Sequence, residues 1–286
     1  MKPFLKWVGG KSQIIEEVID SFPKEIRNYH EVFVGGGSVL LSVLSRGLVK
    51  GKVFAYDLNS SLIALYRNIQ SNPGAVQGHV QKLFGEYDEC SGDDVNRDPA
   101  TFEEATRSKE NYYYWVRKKF NTNKEETIER SAMFLFLNKT CFRGVYREGP
   151  NGFNVPWGHY KKAPSCSELT EVSKLIKDVQ FRQCDFRQAF KDVKKGDFMY
   201  LDPPYAPETK SSFVGYTKDG FGKKDHEDLF NLIKGSGATF VMSNAKVEMV
   251  TEAFSEYSIK DVKARRAINS KDPSSTTTEV VVYSTR

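Results

Sequence analysis

Apolar residues gather in short clusters whose period changes along the chain. Residues 30–34 (HEVFV) read as a strand that runs into Gly35-Gly36-Gly37, and Leu40, Leu41 and Leu44 then recur at helical spacing. Residues 53–57 (VFAYD) predict a second strand and residues 60–69 a helix. This βαβα start predicts an α/β fold with a parallel sheet. The pattern then breaks. Residues 85–111 are polar with few aliphatics, residues 112–120 (YYYWVRKKF) are aromatic and basic, and residues 125–138 predict a helix. Residues 140–167 read as loop, punctuated by Gly144, Gly149, Pro150, Gly152, Pro156, Gly158 and Pro164. The α/β rhythm resumes with a helix at 168–177, strands at 179–184 and 197–201, a helix at 224–234, a strand at 238–243 and a helix at 246–255. Strand-like segments at 257–264 and 278–284 close the chain. The expected organisation is one α/β domain from residues 1–59 and 168–286, interrupted by an insertion at 60–167.

Composition narrows the class. A chain of 286 residues with 39% hydrophobic and 28% charged residues has the balance of a soluble globular protein with a sizeable core. Its net charge of +5 is compatible with a polyanionic partner but by itself decides nothing. Cys90, Cys141, Cys166 and Cys184 form no CxxC pair, and His30, His79, His159 and His226 are scattered. Neither a structural zinc site nor a disulfide framework is expected. No stretch approaches 18 apolar residues and the N-terminus has no signal-peptide core, so a cytoplasmic, reduced protein with no membrane partner is expected.

Four motifs carry chemistry. Phe33 to Ser38 is a Gly-rich turn between a strand and a helix, a place for a ligand to approach backbone, although Leu40 stands where a GxGxxG pattern needs its last glycine. Asp57 follows Gly37 by 20 residues at the end of the next strand, where a carboxylate bonds ribose hydroxyls; the bland alternative is an Asp that caps a helix. Gly9-Gly10-Lys11-Ser12 resembles the end of a phosphate-binding loop, but Leu5 occupies the required first glycine and no strand precedes it. An NTPase is rejected, and Ser12 is expected to cap a helix beginning at Gln13. Asp202-Pro203-Pro204-Tyr205 directly follows the apolar run Phe198–Leu201. Asp202 and the Pro203 carbonyl supply two acceptors for an exocyclic amine, and Tyr205 supplies a ring to stack on a flat base. In the insertion, Lys139, Arg143, Arg147, Lys161 and Lys162 interleave with Phe142, Tyr146, Phe153, Trp157 and Tyr160. This pattern suits phosphate contact and base stacking, and equally suits rings packed on a core beneath solvated charges.

Taken together, these residues resemble the Dam-type (D12 class, alpha group) DNA adenine-N6 methyltransferases over nearly the whole chain. Phe4 to Lys11 is similar to the family's FLKWAGGK motif, Phe33–Ser38 to its FVGGGS-type motif, Asp57-Leu58-Asn59 to its ribose-binding motif, and Cys184-Asp185-Phe186 to its CDF motif. Asp202–Tyr205 matches the catalytic motif, and Phe153–Gly158 resembles the segment beside the DNA-reading loop. The resemblance implies a Rossmann-like S-adenosyl-L-methionine-dependent methyltransferase sheet with an inserted, mainly helical and loop-rich target-recognition domain. It implies transfer to N6 of a flipped adenine in a short duplex site, GATC-like or another four-base palindrome, without a metal. Asp202, Pro203, Pro204 and Tyr205 are then catalytic, with Phe213 or Tyr216 covering the other face of the base. Trp7, Lys11, Phe33, Gly35, Gly36, Gly37, Ser38, Asp57, Asp185, Phe186 and Asp202 hold the cofactor. Lys6, Lys139, Phe142, Arg143, Val145, Arg147 and Pro156 meet double-stranded DNA, with Phe142 as a wedge and Arg147 reading a guanine. Arg143 departs from the family's small polar residue. A separate cognate restriction endonuclease is a partner this resemblance allows. Alternatives are methylation of RNA adenine or of cytosine N4, and a non-catalytic DNA-binding protein on the same scaffold.

Overall fold

The computed structural model describes residues 1, 3–163, 169–206, 220–265 and 276–284. Seven strands form the main sheet: β1 (Tyr29–Glu31), β2 (Val53–Asp57), β5 (Val179–Gln183), β6 (Phe198–Leu201), β7 (Thr239–Ala245), β8 (Ser258–Arg265) and β9 (Thr276–Tyr283). A two-stranded hairpin, β3 (Glu148–Gly149) and β4 (Gly152–Phe153), lies apart from it. The sheet order is β5-β2-β1-β6-β7-β9-β8. The first five pair in parallel, whereas β9 runs antiparallel to both β7 and β8. β6 shows why its sequence is apolar throughout. Phe198 and Tyr200 join the core on one face of the sheet and Met199 and Leu201 the core on the other, so every side chain is buried.

The helices are α1 (Ile15–Ile19), α2 (Ser38–Ser45), α3 (Ser60–Ser71), α4 (Pro73–Glu89), α5 (Phe102–Thr106), α6 (Lys109–Thr122), α7 (Ile128–Thr140), α8 (Leu169–Leu175), α9 (Phe186–Ala189), α10 (Lys223–Gly235) and α11 (Glu248–Ala253). The aromatic and basic run is α6, whose start Ser108 caps by accepting from Asn111 N. α4 and α5 lie where the sequence shows no helix, in and before the polar stretch. Ser12 does not cap a helix: Lys11–Gln13 is a 3-10 turn, and α1 begins at Ile15 after an uncapped Ile14. α3 belongs physically to the sheet. Tyr66 stacks on Phe181 of β5 at 4.8 Å, and the Arg67 guanidinium donates to the Phe181 carbonyl. α7 then packs on α3, with Arg130 Nη1 donating to Ser61 Oγ at 2.9 Å. One apolar core therefore runs without a break from the sheet into α4, α6 and α7.

Candidate active site

β2 lies on one side of β1 and β6 on the other, so the sheet's winding reverses between β1 and β6. Crevices at the carboxyl ends of strands open at such switch points. The glycine turn follows β1 and the Asp-Pro-Pro-Tyr run follows β6, which sets both motifs on one cavity of about 580 Å³. Asp202, Pro203, Pro204 and Tyr205 all line it. So do Trp7, Lys11, Phe33, Gly35, Gly36, Ser38, Asp57, Asp185 and Phe186, whereas Gly37 does not.

The glycines have a reason the sequence did not show. A Cβ on Gly35 would stand 2.8 Å from the Trp7 ring, and one on Gly36 2.7 Å from Trp7 Cβ. Gly37 has φ +70°, and a Cβ there would stand 2.4 Å from the Tyr66 hydroxyl, which donates to the Gly35 carbonyl. The bare turn therefore accommodates two aromatic side chains of the protein itself, and Trp7, pressed on its outer side, becomes a wall of the cavity.

Asp57 is not a helix cap. Asn59 caps α3 by accepting from Leu62 N, while Asp57 accepts from Gly35 N at 3.0 Å and Asn59 N at 2.9 Å. Burial pushes its carboxyl up and those amides pull it back. A carboxylate has lone pairs left after two such bonds. Asp185 caps α9 through Arg187 N at 2.8 Å and pairs with the Arg187 guanidinium. Phe33, Phe186 and Phe221 form an apolar wall, with ring centres 5.4–6.0 Å apart. Asp202 accepts from Lys11 Nζ at 2.7 Å; burial raises its pKa and Lys11 opposes the rise. The Tyr205 hydroxyl donates to Glu279 Oε2 on β9 at 2.7 Å, and Ala206 N donates to Asn244 Oδ1 on β7 at 3.0 Å. The Tyr205 ring is thus held at its tip and just beyond its main chain.

Sequence reasoning missed Glu31, Phe221, Asn244 and Glu279. Glu31 is 2% exposed, lines the cavity, and has no ion pair among the described residues. Tyr29 donates to it at 2.6 Å, and burial pushes its carboxyl up to about 8. A carboxylate at the end of β1, just before the glycines, was its one signal.

The expected DNA-facing residues divide. Phe142 is 47% exposed, and the Arg143 guanidinium lies 5.2 Å from its ring centre. Arg147 is exposed and donates from Nε to Asn154 Oδ1 at 2.7 Å across the β3–β4 hairpin. Pro156 is exposed and its carbonyl accepts from Phe142 N. Lys139, by contrast, is buried, Val145 packs against the core, and Lys6 turns inward to donate to the Tyr160 hydroxyl at 2.8 Å. Phe153 is buried, and Tyr146 stacks on Trp7 at 5.9 Å, so these two rings of the insertion pack on the core. Phe213 and Tyr216, expected over the second face of a base, lie outside the described residues.

A doubly wound sheet whose last two strands, β9 and β8, pair antiparallel at one edge carries these motifs on one cavity. A sequence model of the D12 class N6 adenine-specific DNA methyltransferases matches residues 7–268. The chain is 38% identical to the Type II methyltransferase M.MjaIII of Methanocaldococcus jannaschii, over 95% of this chain and 94% of that one. It is 31% identical to the DNA adenine methylase of Haemophilus influenzae, over 94% and 88%. It is 30% identical to the Type II methyltransferase M.CviBI of Paramecium bursaria Chlorella virus NC1A, over 90% and 88%. The chain belongs to the D12 class N6 adenine-specific DNA methyltransferases. Among the described residues no helix is long and apolar enough to cross a membrane.

Proposed function

We propose that the protein methylates N6 of an adenine swung out of duplex DNA, at a short palindromic site, with S-adenosyl-L-methionine as donor. The observation that carries this is the single cavity on which the glycine turn, Asp57 and Asp185 meet Asp202–Tyr205. Its surfaces fit the donor. The Phe33, Phe186 and Phe221 rings suit an adenine, Asp57 at the end of β2 suits ribose hydroxyls, and the buried carboxyl of Glu31 suits a cationic group. When bound, S-adenosyl-L-methionine supplies an electrophilic methyl carbon and leaves as S-adenosyl-L-homocysteine.

The protein's own work is placement. Flipping an adenine costs a few kcal/mol and brings its amine to Asp202. The adenine N6 lone pair is delocalised into the ring. Asp202 and the Pro203 carbonyl, each accepting one N6–H, rotate that lone pair toward the methyl carbon while Tyr205 stacks beneath the ring. One N6 proton then leaves through Asp202 to solvent, after nitrogen has become cationic. Phe142 and Arg147, exposed on the recognition side, are the proposed wedge and guanine reader. A separate endonuclease that cuts the same site is the partner to seek.

The test is methyl transfer from labelled S-adenosyl-L-methionine to duplex DNA, with long-read sequencing of DNA from expressing cells to give base and context. Asp202→Ala should lower transfer by roughly a thousandfold or more while DNA affinity stays near wild type. Transfer to RNA or to cytosine instead, or full transfer by the variant, would refute the reading.

A further inference from the structure

Lys11 reaches the catalytic motif. Its side chain is 3% exposed, and its ammonium stands 2.7 Å from Asp202 Oδ2 and 2.6 Å from the Gly9 carbonyl oxygen. It also lies 5.0 Å from the centre of the Tyr205 ring. Its main chain is tied to the head of α2, where Lys11 N donates to Ser38 Oγ at 3.2 Å.

A carboxylate that must accept an N–H can fail in two ways. It can turn away, or it can take up a proton and offer an O–H where a lone pair is needed. Burial and the charge of Glu279 both push Asp202 toward the protonated form, and Lys11 is the group that opposes them. The ammonium engages Oδ2 alone. Oδ1 has no hydrogen bond among the described residues, and none reaches the Pro203 carbonyl oxygen. Among the described residues neither acceptor that an exocyclic amine requires is engaged, and the other carboxylate oxygen is already held from within.

We propose that Lys11 is the positioning residue of Asp202, fixing one carboxylate oxygen and keeping the group ionised so that the other is presented to the target amine. This rests on the adenine-N6 reading above, and assigns Lys11 a role beyond the cofactor site. Because Lys11 is anchored to Ser38 and Gly9, the acceptor pair is set relative to the glycine turn before DNA arrives.

The experiment compares wild type with Lys11→Met and Lys11→Arg. Carboxyl titration is followed by infrared difference spectroscopy, with Asp202→Asn to assign the band, beside kinetics and cofactor binding. In Lys11→Met, Asp202 should titrate about one pH unit or more higher, and Lys11→Arg should restore it. The kcat of Lys11→Met should fall about tenfold or more, its acid limb moving upward with the titration, while the Kd for S-adenosyl-L-methionine changes by less than about threefold. An unmoved titration, or a cofactor Kd raised about tenfold with the pH limb unshifted, overturns the proposal. Should Lys11→Met fail to fold, Lys11→Gln replaces it, with the same expected and overturning outcomes. A wild type that methylates no DNA sinks the functional reading alone, since the titration still reports whether Lys11 holds Asp202 ionised.

Discussion

A carboxyl buried at the end of β1 without a cation beside it has to keep its proton or find a ligand. Glu31 has the Tyr29 hydroxyl and the Leu40 amide as partners, and burial outweighs both, lifting it from the ordinary 4.5 to about 8. Between those values the unfolded chain releases the proton and the folded chain retains it, so this group's contribution to stability falls as pH rises from about 4.5 to about 8. Glu31→Gln has the shape of the neutral form and no proton to lose. Chemical denaturation should find the variant equal to wild type near the lower limit and more stable near the upper one, by on the order of a few kcal/mol. A difference that does not vary with pH would sink this account. The same substitution removes the negative charge offered to a cationic ligand, so cofactor affinity should fall while ligand-free stability rises, and calorimetry separates the two. Residues such as this one sit at functional sites because stability and ligand binding make opposite demands of them.

Among elements, the glycine turn between β1 and α2 is the most constrained. Gly37 is left-handed and abuts the Tyr66 hydroxyl of α3, so Gly37→Ala adds backbone strain and an overlap together. A loss of about 2–4 kcal/mol is expected. Tyr66→Phe alone should lose about 1–2 kcal/mol by orphaning the Gly35 carbonyl. In the double variant the overlap is gone, so it should be less destabilised than the sum of the singles by about 1 kcal/mol or more; simple additivity would count against the contact. The fold was legible where short apolar runs coincided with strands. All seven sheet strands have sequence counterparts within a few residues; β6, buried on both faces, is apolar throughout, whereas β5 alternates buried and exposed positions. α4 was not legible, although Val76, Val80, Phe84 and Tyr87 are all buried at helical spacing. Pro73, Gly74, Gly78 and Gly85 hid that stripe, because proline and glycine have the lowest helix propensity. In the site, the motif residues could be read because each lies on a local turn. Glu279 could not, because it reaches Tyr205 from 74 residues away on β9, a strand whose place between β7 and β8 only the folded sheet determines.

At the scale of the whole molecule, DNA affinity depends on where a modest surplus of charge lies. The net charge of +5 is compatible with a polyanion but does not say where contact occurs. Several cations of the expected DNA-facing set and the insertion are not equivalent. Lys139 is buried and Lys6 is turned toward Tyr160, whereas Arg143, Arg147, Lys161 and Lys162 are exposed. Lys161 and Lys162 follow directly from Tyr160, the ring against which Lys6 is held, and line a cleft with Asp93, Asp94 and Glu110. Charges that contact phosphates carry no sequence information; Arg147, held by Asn154 across its hairpin, is the proposed reader of a base edge. The two kinds of contact separate in a salt titration. Each phosphate neutralised contributes about −0.9 to the slope of log affinity against log salt. Lys161→Ala and Lys162→Ala should each flatten that slope by about one and weaken all sequences alike. Arg147→Ala should lose about 1–3 kcal/mol of discrimination at one base pair. Filter binding over a salt series, with a cognate and a scrambled duplex, distinguishes these outcomes. If Lys161→Ala changes discrimination and leaves the slope alone, Lys161 reads bases and the recognition surface extends past Tyr160. If Arg147→Ala weakens both duplexes equally, the hairpin holds a phosphate anchor and the specificity lies around Phe142 and Arg143.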